Sequence, residues 1–172
     1  MNVVIRQELA IDFSTIYELN KAAFGQDNEA KLVDALRSSK SFIPDLSIVA
    51  TIDNKIVGHI LFTKIKIKDL NKEFDSLALA PMAVSPELQK LGIGGQLIKH
   101  GLLKATELGY KSVFVLGHEH YYPKFGFTPA DKWNIKAPFD VPTNVFMGIE
   151  LVENGLQKVK GTVQYPKEFD TV

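Results

Sequence analysis

The run Ser85-Pro86-Glu87-Leu88-Gln89-Lys90-Leu91-Gly92-Ile93-Gly94-Gly95-Gln96 organises the rest of this chain. The apolar segment Leu77 to Val84 leads into it, and an amphipathic segment from Gln96 to Leu108 leads out. The pattern predicts a strand, a turn holding three glycines, and a helix. A helix that starts this way leaves its first backbone N–H groups without intrahelical partners, and the helix dipole adds partial positive charge there. The turn is therefore expected to hold an anion, and a diphosphate is the anion expected.

Two nucleotide-binding patterns can be set against these residues. A P-loop needs Lys followed by Ser or Thr after its last glycine, and no such pair follows here. A dinucleotide fingerprint beginning at Gly92 needs Gly or Ala at position 97, which is Leu97. Downstream lie a second buried strand, Val113-Phe114-Val115-Leu116, and the aromatic segment Tyr121-Tyr122-Pro123-Lys124-Phe125-Gly126-Phe127.

Gln89-x-x-Gly92-x-Gly94 after a strand and before a helix resembles the acetyl-CoA loop of the GNAT superfamily of N-acetyltransferases, and Tyr122 to Phe127 resembles that family's Tyr-x-x-x-Gly-Phe ending. The two motifs stand in the family's order, and the likeness is greatest to a branch of small bacterial predicted acetyltransferases. The resemblance implies an α/β (α+β) fold: a mixed, mostly antiparallel sheet with a splayed strand pair and flanking helices. It also implies transfer of an acetyl group from acetyl-CoA to a primary amine by direct attack, through a tetrahedral oxyanion. The acceptor would be a small molecule or a peptide. A binding or sensor domain for acyl-CoA or a small amine, without turnover, is the alternative.

The resemblance also assigns site residues. Gln89, Lys90, Leu91, Gly92, Ile93, Gly94, Gly95 and Gln96 would hold the diphosphate. Met82, Ala83 and Val84 would offer backbone groups to the pantetheine arm, with an N–H near Val84 toward the oxyanion. Tyr122, four residues before Gly126, would face the departing sulfur, leaving Tyr121 as a core aromatic. The chain departs from the family in lacking an asparagine and an alanine ahead of the tyrosine, having Val115 to His120 there. The amine needs a base, and His118, Glu119, His120 and water are the candidates. Glu29 is read first as a charge favourable to a helix start, and second as an acceptor contact. His118 and His120 without a distant third ligand do not make a metal site, so no metal is expected.

Composition bounds the remaining possibilities. The 172 residues suffice for one domain with its own core, residues 1 to 172, and 45% of them are hydrophobic. Twenty basic residues balance twenty acidic ones, which argues against nucleic acid. Lys64, Lys66 and Lys68 alternate as a solvated strand face. The chain has no cysteine, so it has no disulfide framework and no thiol nucleophile. No signal peptide or membrane-length apolar run is legible, and a cytoplasmic protein is expected.

Along the rest of the chain, Asn2 to Arg6 predicts a strand and Asp12 a helix start, with Gly25 as its stop. A second helix follows Asp27 or Asn28 and ends near Ser38. Ser47 to Ile52 and Ile56 to Ile67 predict a hairpin across Asp53-Asn54-Lys55. The apolar parity changes along the second of these strands, from Ile60 and Phe62 to Ile65 and Ile67, which predicts a bulge near Thr63 or Lys64. Pro81 within an apolar strand predicts a bulge or a lost neighbour. Asn144 to Val152 reads as a last long strand and Gly161 to Pro166 as a tail that pairs briefly.

Overall fold

A mixed, mostly antiparallel sheet carries the chain in a computed structural model, which describes residues 1 to 171. Among the described residues there are nine strands and three α-helices. Strands β1 (Val3–Gln7), β2 (Ser47–Ile52), β3 (Lys55–Asp69) and β4 (Lys72–Val84) lie antiparallel in sequence order. The sheet continues through β5 (Ser112–Leu116), parallel to β4, and then β8 (Phe146–Glu150) and β6 (Thr128–Pro129). The tail forms β9 (Gly161–Gln164), which pairs with Lys66 to Lys68 of β3 and with β7 (Ile135–Lys136). This is the expected fold class. No helix among the described residues is long and apolar enough to cross a membrane.

Helices α1 (Phe13–Phe24) and α2 (Asn28–Arg37) cover one face of the sheet, and α3 (Ile93–Glu107) covers the other. Gly25 ends α1 in the left-handed conformation, φ 70°, as its position in the sequence suggested. Asp12 stands at the start of α1, but its carboxylate accepts from Arg6 at 2.7 Å and from the Leu9 amide at 2.7 Å instead of capping the helix. A buried polar cluster fixes α2. The Arg37 guanidinium donates two bonds of 2.9 Å to Glu8, and Ser47 meets His59 Nε2 at 2.9 Å behind it. Burial, with the positive Arg37 nearby, pushes His59 down to about 3, so its imidazole is neutral at physiological pH and structural.

The hairpin turns at Asp53 and Asn54, both left-handed with φ 51° and 64°, the pattern of a two-residue turn matched to strand twist. The bulge expected near Thr63 or Lys64 is not where the structure places irregularity. One register shift lies between Ala50 and Thr51, where Val57 is the extra residue, and another sets Leu61 against both Ala80 and Pro81. The apolar parity of β3 changes for another reason. Ile60 and Phe62 point to α3, whereas Leu61, Ile65 and Ile67 point to the opposite face, and α3 covers its own face only as far as Phe62. Lys64, Lys66 and Lys68 continue that uncovered face into solvent, where Lys66 pairs with Asp75 and Lys68 with Glu73.

Pro81 sits in the bulge of β4, where a missing N–H removes no ladder bond. Strands β4 and β5 pair at Leu77 with Val113 and at Ala78 with Phe114, and their ladder ends there. Past Ala78 the two strands splay, leaving one edge of β4 unpaired toward β5.

Helix α3 starts at Ile93, three residues before the position the glycines suggested. Gly92 alone makes the turn, with φ 88°, while Gly94 and Gly95 lie in the first helical turn. Glycine there serves close packing. Farther along, a Cβ on Gly101 would overlap the fully buried Phe62 ring, so this glycine sets how closely α3 lies on the sheet. Gly101→Ala is expected to destabilise the protein by about 1–3 kcal/mol, the usual cost of overpacking a tight core. For a chain of this size that lowers the thermal midpoint by roughly 2–12 °C, readable by calorimetry.

Candidate functional site

The splay between β4 and β5 opens into one cavity of about 1080 Å3 that also reaches the start of α3. The first intrahelical bond of α3 runs from the Gln96 amide to the Gly92 carbonyl at 3.1 Å. The amides of Ile93, Gly94 and Gly95 therefore have no i−4 partner within the helix, and they gather where the dipole is positive. Lys90 and Lys124 also border this end of the cavity. Lys90 has φ 65°, an uncommon conformation for a side chain of its size, held by the loop between the 3-10 turn Pro86–Leu88 and α3. The arrangement suits a diphosphate.

Backbone groups along β4 divide by alternation. The Ser85 amide donates to the Val57 carbonyl at 2.8 Å, so Ser85 and Ala83 face β3, while Val84 and Met82 turn their N–H and C=O groups into the splay. Gln89 Nε2 donates to the Val84 carbonyl at 3.1 Å and ties the loop to the end of the strand. Met82, Val84, Gln89, Lys90, Gly92, Ile93, Gly94 and Gly95 border the cavity, while Ala83, Leu91 and Gln96 stand outside its wall. Ala83 is buried against the sheet, Leu91 is exposed to solvent, and the Gln96 amide is already bonded.

The aromatic segment closes the cavity from the β5 side. Residues Tyr122–Phe125 form a 3-10 turn that Gly126 ends at φ 102°. Tyr122 is 8% exposed, with its ring edge-on to Phe127 and packed over Gly117, where any Cβ would overlap it. Burial, with a smaller contribution from Tyr121, pushes the Tyr122 phenol up to about 12. Tyr121 instead reaches toward α3: a Cβ on Gly94 would lie 2.9 Å from its hydroxyl and 3.3 Å from Met82 Cε. Phe125 lies equally close to Gly95, at 3.2 Å from a Cβ placed there. The glycines of the loop thus let the aromatic turn and β4 converge on the helix start.

Of the basic candidates, His118 reaches the cavity, whereas Glu119 and His120 lie outside it and face each other at 3.3 Å. No group of three His, Asp or Glu side chains placed to hold a metal occurs among the described residues. Glu29 borders the cavity from α2, with the Gln26 amide donating to its two oxygens at 3.0 and 3.2 Å. The sequence reading missed Phe24, Leu88, Lys124, Phe139, Tyr165 and Phe169, which also line the wall. Only Leu88, inside the loop run, and Lys124, inside the aromatic motif, carried a local signal; Tyr165 and Phe169 arrive through the pairing of β9.

The model of the acetyltransferase (GNAT) domain matches residues 44–129, half of the chain and both motifs. The chain belongs to the GNAT family. Within it, the chain is 44% identical over 135 residues to the uncharacterised N-acetyltransferase YjhQ of Escherichia coli, covering 76% of this chain and 73% of that one. The crystal structure of the GNAT N-acetyltransferase YhbS from Escherichia coli in complex with CoA superposes with a TM-score of 0.92 at 30% identity, covering 99% of this chain and 93% of that one. A GNAT acetyltransferase from Brucella melitensis in complex with acetyl-CoA gives 0.81 at 30% identity, with 98% and 99% covered. The mixed sheet and its three helices are thus those of GNAT relatives.

Proposed function

We propose that this chain is an acetyl-CoA-dependent N-acetyltransferase that acetylates a primary amine. The observation that carries the reading is the joining, in one cavity, of three unpartnered amides at the start of α3 with the unpaired edge of β4. A diphosphate would meet the amides of Ile93, Gly94 and Gly95, with Lys90 and Lys124 adding charge. A pantetheine arm would lie along β4 as a missing strand, its amides meeting the Met82 backbone groups, in the manner of strand addition. The solved relatives that hold CoA and acetyl-CoA support this reading.

In this reading the acceptor enters from the α1 and α2 side, loses its proton through water or His118, and attacks the thioester carbonyl. The chain contributes placement and charge stabilisation, with no covalent intermediate on the protein. The amide of Val84 faces the splay and is the candidate donor to the oxyanion. The protein is expected to act in the cytoplasm. Release of CoA thiol over an amine panel, with mass spectrometry of the acetylated amine, tests the function. Saturable acetyl-CoA binding without release would turn the reading to an acyl-CoA sensor.

Gln89→Ala removes the side-chain tie to Val84 but none of the backbone donors. Acetyl-CoA affinity is expected to fall only about threefold to tenfold, in keeping with one neutral hydrogen bond. Calorimetric titration reads this directly, and a loss beyond a hundredfold would give the side chain a much larger part.

A further inference from the structure

The cavity changes chemistry from one end to the other. Lys90, Lys124 and the amides of α3 lie at one end, while Phe24, Phe139, Tyr165 and Phe169 gather at the other. Glu29 is the single acidic residue on the wall among the described residues. The last 3-10 segment, Lys167–Thr171, rests on α2, which brings Phe169 to the helix that carries Glu29. Tyr165 is stacked with Phe139 at 6.2 Å and tilted against Phe169 at 5.1 Å. The Gln26 amide holds the Glu29 carboxylate in place.

We propose that the acceptor is a primary amine with one positive charge on a ring-bearing apolar body, its ammonium met by Glu29 and its body by Phe139, Tyr165 and Phe169. The proposal rests on the acetyltransferase reading above and adds its substrate class. Phe139 and Phe169 offer no partners to sugar hydroxyls or peptide groups and Tyr165 has a single hydroxyl, so an aminoglycoside or an extended peptide would bury more polar atoms than this end of the wall can pair. A polyamine would bring further ammonium groups to a wall that holds one carboxylate. The rings do not form an open cage for those charges, because Tyr165 is flanked by Phe139 and Phe169.

The chemistry balances without a further reactant. The ammonium gives one proton to solvent to become the attacking amine. A carbon–nitrogen bond forms to the acetyl carbon, the carbon–sulfur bond breaks, and a second proton, lost from nitrogen as the amide forms, balances the one the CoA thiolate takes up, so that one proton is released in all.

The test compares initial rates of CoA thiol release at saturating acetyl-CoA for 2-phenylethylamine, spermidine and a lysine-bearing peptide. Wild type, Glu29→Gln and Phe139→Ala are assayed in parallel. The kcat/KM for 2-phenylethylamine is expected to exceed that for spermidine by at least about tenfold. Glu29→Gln is expected to raise its KM by about tenfold to a hundredfold, and Phe139→Ala by about fivefold, with the KM for acetyl-CoA unchanged in both. Preference for spermidine or the peptide overturns the substrate class, and an unchanged 2-phenylethylamine KM in both variants overturns the site. In either case turnover itself upholds the transferase reading. If acetyl-CoA binds and no amine releases thiol, the transferase reading fails, and calorimetry of 2-phenylethylamine then decides the class alone. Binding at one site, weakened by Glu29→Gln, upholds it; no binding overturns it.

Discussion

Gly94→Glu is expected to abolish acetyl-CoA binding while leaving a folded protein. Gly94 has an ordinary helical backbone, so the substitution brings no strain of the left-handed kind. Its Cβ would point between the Tyr121 hydroxyl and Met82 Cε, both of them ends of movable side chains, so the neighbours can shift without loss of the fold. The rest of the glutamate would then occupy the passage from the start of α3 to the edge of β4. Its carboxylate would sit beside the amides proposed to meet a diphosphate and oppose a second anion. A negative charge in the first turn also favours the helix, by about 0.3–1 kcal/mol, so the apo protein is expected to melt at or slightly above the wild-type temperature. Affinity measured by calorimetry is expected to drop by more than about a hundredfold, as when a binding cleft is filled and its charge reversed.

Tyr122→Phe is expected to keep both the fold and acetyl-CoA affinity while lowering kcat on the order of 10- to 1,000-fold. The ring is fixed by Phe127 and by the bare backbone of Gly117, neither of which depends on the hydroxyl. The height of its pKa decides what the hydroxyl does. With the phenol at about 12 and a thiol near 8.5, complete proton transfer to the departing thiolate would be uphill by about 5 kcal/mol. The role proposed for the hydroxyl is therefore to donate a hydrogen bond as charge grows on sulfur, with the thiolate taking its proton from water. Tyr121→Phe is expected to change kcat much less, since its hydroxyl lies against Gly94 at the start of α3. Single-turnover rates for the two variants separate these roles. A full effect in Tyr121→Phe with none in Tyr122→Phe would move the assignment by one residue.

What the sequence disclosed follows from how local each signal is. Gly25 was legible as the stop of α1 and Gly92 as part of the turn before α3, because positive φ is a property of single residues. The start of α3 was misplaced because Gly94 and Gly95 look like turn formers. They are helical positions kept as glycine because Tyr121, Met82 and Phe125 approach them closely, a tertiary cause. Pro81 correctly marked the bulge of β4 and the edge beyond it, since a proline cannot donate to a ladder. The misplaced bulge of β3 has a similar source, because parity records which face is covered and α3 leaves that face after Phe62. The aromatic end of the cavity was the least legible part. Phe24, Phe139, Tyr165 and Phe169 are scattered in sequence, and nothing local shows that β9 returns beside β3 to bring them together.

The most direct test of the account follows backbone amides by 15N–1H correlation spectra during a titration with acetyl-CoA. The expected result is a saturable shift at Met82, Val84, Ile93, Gly94 and Gly95, with Thr106 and Glu107 at the far end of α3 left unmoved. Saturation with those five amides unshifted, or no shift at millimolar acetyl-CoA, would contradict the claim that the splay of β4 and β5 and the start of α3 form the cofactor site.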